Sequence, residues 1–306
     1  PPVARIAVVG SLMMDLVVRA PRPALPGESL IGRSFATFVG GKGGNQAAAA
    51  ARLGASVAMV GAVGADPFGE AILASLAADG IDTAFVRRLE GEGTGVAVPV
   101  VFDDGSNLIY ALPRANLALA PADVETARTV IEAADVLLVQ FEVAPEATLA
   151  ALRIARAAGV RTILNPAPIA PHPGEVFALA DLLVPNEVEA AALSGAAGEP
   201  VEAQAAALRA LGPQDVIITL GERGALIAIE AGLRPVPAPR VEAVDTVGAG
   251  DAFCGALAVR LAAGATLEEA AAYACRAAAL ACTKPGAAAS LPSFDEVEEF
   301  TRRLPA

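Results

Sequence analysis

Gly248, Ala249 and Gly250 stand directly before Asp251 in the segment VDTVGAGDAF, where an apolar helical run begins. Small residues at a helix start leave the N–H groups of Ala249, Gly250 and Asp251 unobstructed. A transferring phosphoryl group can rest on them while negative charge develops. Asp251, beside that cradle, can accept a proton from an attacking hydroxyl. The chain has one histidine, His172, between Pro171 and Pro173, so a carboxylate is the available general base. A histidine-based triad or a zinc site with several histidines is excluded by count. Taken alone, the stretch also reads as an ordinary helix-opening acid, which the helix dipole favours.

A second glycine cluster, VGGKGGNQAAAAARLG, also feeds a helix and lets a ligand approach the main chain closely. It is not a Walker A loop, because Ala36 stands where the first glycine belongs and Lys42 is followed by Gly43. GAGDAF likewise fails the dinucleotide fingerprint, since Phe253 takes the last glycine's place. By itself the cluster is equally a tight turn with Asn45 near a helix cap.

These groups need a scaffold, and 306 residues with 55% hydrophobic content suffice for one large α/β domain or two ordinary ones. A net charge of −12 argues against a nucleic-acid partner, whose phosphates require a basic face. The uncharged stretch between Arg52 and Asp66 falls well short of the ~20 apolar residues that cross a bilayer, so no membrane partner is expected. RIAVVGSL near the start reads as a buried strand and not as a signal segment, which makes the cytoplasm the expected location. Cys254, Cys275 and Cys282 form no C-x-x-C pair and read as buried structural thiols.

Apolar runs such as RIAVVG, VAMVGAVG, VLLVQF, RTILNPAP, DVIITLG and GALIAIE alternate with alanine-rich helical segments. That pattern predicts a doubly wound α/β core, a mostly parallel sheet with helices on both faces. LMMDLVVRA with SFATFVGG, and TGVAVPVVFDDGSNLIYAL with its Asp104-Gly105 turn, break the alternation and read as strands and a hairpin. The expected organisation is one domain over residues 1–306, with a small β-sheet lid drawn from about 11–20, 34–40 and 94–115.

Taken together, GSLMMDLV, LPGESLIGRSFATFVGGKGGNQ, VGADPFGEAI, LNPAP, PNEVEA, ITLGERGA, VDTVGAGDAFCGAL and KPGAAASLP resemble the ribokinase-like (PfkB) carbohydrate kinase family along nearly the whole chain. The resemblance implies that Asp251 is the catalytic base and that Gly248, Ala249 and Gly250 form the anion hole with it. Asp15, Gly41, Lys42, Gly43, Gly44, Asn45 and Glu142 match positions that hold sugar hydroxyls. Asn186, Thr219, Leu220, Gly221, Glu222, Arg223, Gly224, Gly250 and Cys275 fall on the ATP side, and Glu189 falls where magnesium and its waters are arranged. Asp245, carbonyls of Val247, Ala281, Lys284 and Gly286, and Ser290 match a monovalent cation site that usually holds potassium. A homodimer through the lid strands is implied as well.

The chain departs from the family in places. Met13 stands where asparagine is common at the sugar end, Cys275 replaces the usual histidine or asparagine at the adenine end, and Arg114 replaces a smaller residue. Arg114 either reaches the pocket or solvates the lid. The activity implied is ATP-dependent phosphorylation of the terminal hydroxymethyl oxygen of ribose or 2-deoxyribose. Within the family, another sugar or a nucleoside is the alternative. Outside it stand a sugar-binding protein without catalysis, which has no need of Asp251, and a nucleotide-binding oxidoreductase, which lacks its glycine fingerprint.

Overall fold

Alternate residues of the central strands face two different apolar clusters, which is how a sheet covered on both sides is built. In β1 (Arg5–Val9), Ile6 and Val8 pack under the helices Lys42–Arg52, Ala249–Ala262 and Leu267–Ala281. Ala7 and Val9 face the opposite layer, which includes the helix Pro145–Ala158. The computed structural model describes residues 3–304.

The remaining strands are β2 (Met13–Ala20), β3 (Ser34–Gly40), β4 (Ser56–Gly64), β5 (Asp82–Leu89), β6 (Gly95–Phe102), β7 (Asn107–Leu112), β8 (Val136–Gln140), β9 (Arg161–Asn165), β10 (Leu182–Leu183), β11 (Asp215–Thr219), β12 (Ala225–Ile229) and β13 (Gly232–Val236). The large sheet has the order β13-β12-β11-β10-β9-β8-β1-β4-β5. From β5 to β11 the pairs are parallel, as the strand–helix alternation predicts, whereas β11/β12 and β12/β13 are antiparallel. The reason is length. Only the short turn Gly221–Arg223 separates β11 from β12, too little chain for a parallel crossover.

Two edge strands escape the sequence reading. β5 exposes much of its length, and β13 carries Pro235, which an edge strand tolerates because one side needs no N–H donor.

The lid is a separate sheet of order β3-β2-β6-β7, with β2 and β6 parallel and both outer pairs antiparallel. Gly105 at φ 84° closes the β6–β7 hairpin through its N–H to the Phe102 carbonyl at 3.0 Å. The segment expected as lid strand to residue 115 ends earlier, at Leu112, and Arg114–Ala118 forms a 3-10 turn. Buried Asn116 in that turn accepts from the Leu12 N–H at 2.8 Å and donates to the Leu12 carbonyl at 2.9 Å. It thereby anchors the start of β2. Among the described residues no helix is long and apolar enough to cross a membrane.

Candidate active site

β1 lies between β4 and β8, and the chain leaves it through the lid to reach β4 before returning to β8 on the other side. Such a switch point opens a crevice at the carboxyl ends of the strands. Two helix N-termini fill it. A Cβ on Gly43 would come within 2.6 Å of the Gly10 carbonyl carbon and the Ser11 nitrogen, so only glycine lets the Lys42–Arg52 helix start against the end of β1. A Cβ is absent for the same reason at Gly255, where it would sit 2.5 Å from the Ala49 Cβ. That contact seats the Ala249–Ala262 helix on the first helix and brings Asp251 to Asn45 and Gln46.

Asp251 is 6% exposed, and both its oxygens are held by amides. Asn45 Nδ2 donates to Oδ2 at 2.9 Å, and Gln46 Nε2 donates to Oδ1 at 3.1 Å. Gly248 caps the helix at φ 83°, a left-handed conformation suited to glycine, and the space beside Gly250 is open. The small-residue helix start expected from the sequence is thus present. A cavity of about 190 Å³ opens in front of it, lined among others by Lys42, Asn186, Glu189, Thr219 and Cys254.

On the lid side, Glu142 accepts from Ser11 Oγ and, at 3.0 Å, from the Lys42 backbone N–H. Burial pushes the Glu142 carboxyl above its ordinary range. Asp15 reaches over Gly40, where a Cβ would lie 2.5 Å from its Oδ2. Burial, then Glu142 and Asp251, push Asp15 up to about 6. Burial pulls the Lys42 ammonium down, but the surrounding Asp251, Glu142 and Glu189 more than offset it and hold it above its ordinary value. The site therefore gathers carboxylates around one lysine.

The Asp15 environment has a consequence for stability. Its carboxyl titrates at about 6 in the folded chain against an ordinary 3.8, so its ionisation penalises folding above pH 6 and not below about 3.8. Asp15→Asn is expected to stabilise the ligand-free protein at pH 7 by roughly 2 kcal/mol, after allowing for partial exposure. The gain should fade as pH falls toward 4. Urea unfolding of both forms at the two pH values checks this, and an equal difference at both would contradict it.

Asn186 and Glu189 form a capping box, Asn186 Oδ1 accepting from the Glu189 N–H at 2.9 Å and Glu189 Oε2 accepting from the Asn186 N–H at 2.8 Å. The box fixes Glu189 at the cavity edge, where burial raises its carboxyl. An acid so placed, beside Lys42 and an anion cradle, fits a hydrated divalent ion on a nucleotide. Of the strand-end segment Thr219–Gly224, Thr219 lines the cavity, while Arg223 turns outward to pair with Glu187. Cys275 is packed in the apolar cluster and is not among the cavity-lining residues.

Asp245 links two loops, its Oδ1 accepting from the Val247 N–H at 3.0 Å and its Oδ2 from the Gly286 N–H at 2.9 Å. The Val244 and Asp245 N–H groups donate to the Cys282 carbonyl, and buried Ser290 donates to the Ala287 carbonyl at 2.9 Å. The Ala281 carbonyl accepts from the Lys284 N–H at 3.2 Å, and the segment through Gly286 and Ala287 is thus tied beside the helix start at Gly248. Arg114 turns from the cavity to the lid base, its guanidinium donating to the Thr94 carbonyl at 3.2 Å. His172 stacks on Phe141 with ring centroids 3.6 Å apart and takes no place among the carboxylates.

The sequence reading missed Ser11, Gln46, Gln140 and Asn165, all hydrogen-bonded within the site. One signal was present: Gln140 is a polar residue ending an otherwise apolar buried strand.

An open glycine helix start, a carboxylate held against it and a small second sheet fit an α/β phosphotransferase. The chain matches the pfkB family of carbohydrate kinases over residues 3–293 and belongs to that family. It is 42% identical to a ribokinase of Mus musculus over 85% of this chain and 82% of the relative. It is 36% identical to a deoxyribokinase of Salmonella typhimurium over 96% of this chain and 98% of the relative. A solved Arabidopsis thaliana ribokinase complexed with ribose and ATP superimposes with a TM-score of 0.91 at 31% identity, covering 99% and 100% of the two chains.

Proposed function

We propose that this protein transfers the γ-phosphoryl group of ATP to the terminal hydroxymethyl oxygen of a pentose, D-ribose or 2-deoxy-D-ribose. One observation carries the reading: the Asp251 carboxylate is fixed by two amides at the mouth of the Gly248–Gly250 cradle, between the lid-side carboxylates and the cavity of Lys42 and Glu189. Asp15, Lys42, Asn45 and Glu142, with Gly41, Gly43 and Gly44 leaving room, orient the sugar by its hydroxyls. Asn45 Oδ1 is buried without a partner and is free to accept one of them. Asp251 takes the proton of the attacking hydroxyl, and the N–H groups of Ala249, Gly250 and Asp251 hold the charge on the transferred group. Magnesium, arranged through Glu189 and water, would neutralise the nucleotide phosphates. A lid closing over the sugar excludes water, which would otherwise accept the phosphoryl group.

Residues 1–306 act in this reading as one kinase domain with its lid; the outermost limits lie outside the described residues. Phe35, Leu108, Tyr110 and Leu112 leave the lid sheet apolar and exposed, and its outer strands β3 and β7 are unpaired at their free edges. Pairing of two lids in a homodimer would cover both. ADP release measured over pentoses, hexoses and nucleosides tests the substrate class. The reading requires the largest kcat/KM with ribose or 2-deoxyribose, and a hexose or nucleoside ahead of both would overturn it.

Potassium at the Asp245 loop would hold the anion hole from behind. Replacing it with tetramethylammonium at constant ionic strength is expected to lower kcat or pentose affinity. Equal activity in potassium, sodium and tetramethylammonium would remove the cation from the mechanism.

A further inference from the structure

Behind Asp251 runs a chain of buried amides, of which the phosphotransfer reading uses only the contact of Gln46 with Asp251. Gln46 and Gln140 are both 0% exposed. Gln46 Nε2 places one hydrogen on Asp251 Oδ1 and the other on Asn165 Oδ1, each at 3.1 Å. Gln46 Oε1 accepts from Gln140 Nε2 at 2.7 Å. Asn165 Nδ2 in turn donates to the Val184 carbonyl at 2.8 Å, which fixes Asn165 as the acceptor toward Gln46.

The direction of every bond in this chain follows from its end. An ionised carboxylate only accepts, so Gln46 must present nitrogen to Asp251 and oxygen to Gln140, and Gln140 must then present nitrogen. The Gln140 oxygen is left over, buried without a partner against Gly10. A buried orphan acceptor costs stability, and a purely structural core would gain by replacing the pair with apolar side chains. Four elements supply the chain: Gln46 from the first glycine-rich helix, Gln140 and Asn165 from the ends of neighbouring strands β8 and β9, and Asp251 from the second helix.

We propose that Gln46 and Gln140 are positioning residues for phosphoryl transfer, a buried amide relay that holds the Asp251 carboxylate in one orientation with its accepting oxygen toward the sugar hydroxyl. The proposal rests on Asp251 being the base. Gln46 acts on Asp251 directly, and Gln140 acts only through Gln46, by keeping that amide from turning over.

The test uses the near-isosteric substitutions Gln46→Met and Gln140→Met, the double variant, and Asp251→Asn, each read by kcat and KM with the preferred pentose. Loss of a hydrogen bond to a charged group predicts a kcat lower by roughly ten- to hundredfold for Gln46→Met. For Gln140→Met, which loses a neutral bond, the expected fall is roughly two- to tenfold. Pentose KM should stay within roughly threefold in both, because neither residue touches the sugar. Because Gln140 works through Gln46, the double variant should be no slower than Gln46→Met alone. Gln140→Glu, neutral when so buried, still donates an O–H to Gln46 and should restore most of what Gln140→Met loses. Should Gln46→Met fail to fold, comparison of Gln140→Met with Gln140→Glu decides between the outcomes. A rise in KM at unchanged kcat, multiplying effects in the double variant, or a Gln140→Glu enzyme as slow as Gln140→Met would each overturn the relay. If Asp251→Asn retains turnover, the base assignment falls and the relay with it; if Asp251→Asn is inactive while the glutamine variants are unimpaired, the relay alone falls.

Discussion

Asp251→Asn is expected to lower kcat by roughly 10²–10⁴-fold or more and to leave pentose affinity largely intact, because general-base catalysis contributes that much and the substitution keeps the shape of the side chain. The local bonding survives the exchange. The new amide nitrogen would face the Asn45 nitrogen, but Asn45 has an unpaired Oδ1 and can turn it inward to accept. In the proposed reading the sugar gives up the Asn45 Oδ1 contact but keeps Asp15, Lys42 and Glu142. With the sole histidine stacked on Phe141, among the described residues no imidazole stands ready to take over the proton. Calorimetric sugar binding together with kcat separates the two effects, and more than a tenth of wild-type kcat in the variant would show that Asp251 is not the base.

Met13→Asn is expected to shift the ratio of kcat/KM for 2-deoxyribose over ribose toward ribose. Met13 is 3% exposed and lies outside both apolar clusters, whereas its neighbour Met14 is packed into one of them. Residues two apart on a strand share a face, so Met13 lies on the same face of β2 as Asp15. Its cross-strand partners are Gly40 and Gly95, which place no side chain against it. A thioether offers none of the hydrogen bonds that an amide offers, so a sugar hydroxyl against Met13 is desolvated without a partner. Such a group costs about 1–3 kcal/mol, or roughly five- to 150-fold in discrimination. The bias stays partial, since apolar pockets reject an added hydroxyl by only ~10². A wild-type preference for ribose of tenfold or more, or a ratio unmoved by the substitution, would assign the choice of pentose to other residues.

What the sequence made legible follows from where its physical signals are local. β1, β8, β9 and β11 announce themselves because strands buried on both faces must be continuously apolar, and the lid because it is not. The glycines around Lys42 and before Asp251 are legible because close approach of backbone to backbone or to ligand leaves few other choices. The antiparallel turn into β12 is foreshadowed only by the shortness of GERG, and the exposure of β5 dilutes its strand signal. Gln46 and Gln140 stand far apart in the chain, and only the packing of Gly43 on Gly10 and of Gly255 on Ala49 brings the relay to Asp251. Cation ligands that are carbonyls leave no mark in side-chain identity at all.

The position of the phosphate on the product tests the central claim most directly. Purified protein, ATP, magnesium and carbon-13-labelled ribose or 2-deoxyribose would be incubated, and the product examined by NMR for phosphorus–carbon coupling. The account predicts pentose-dependent formation of a monophosphate coupled at C5, absent with Asp251→Asn. A phosphate on C1, or no phosphorylated pentose from a folded enzyme that binds both substrates, would contradict it.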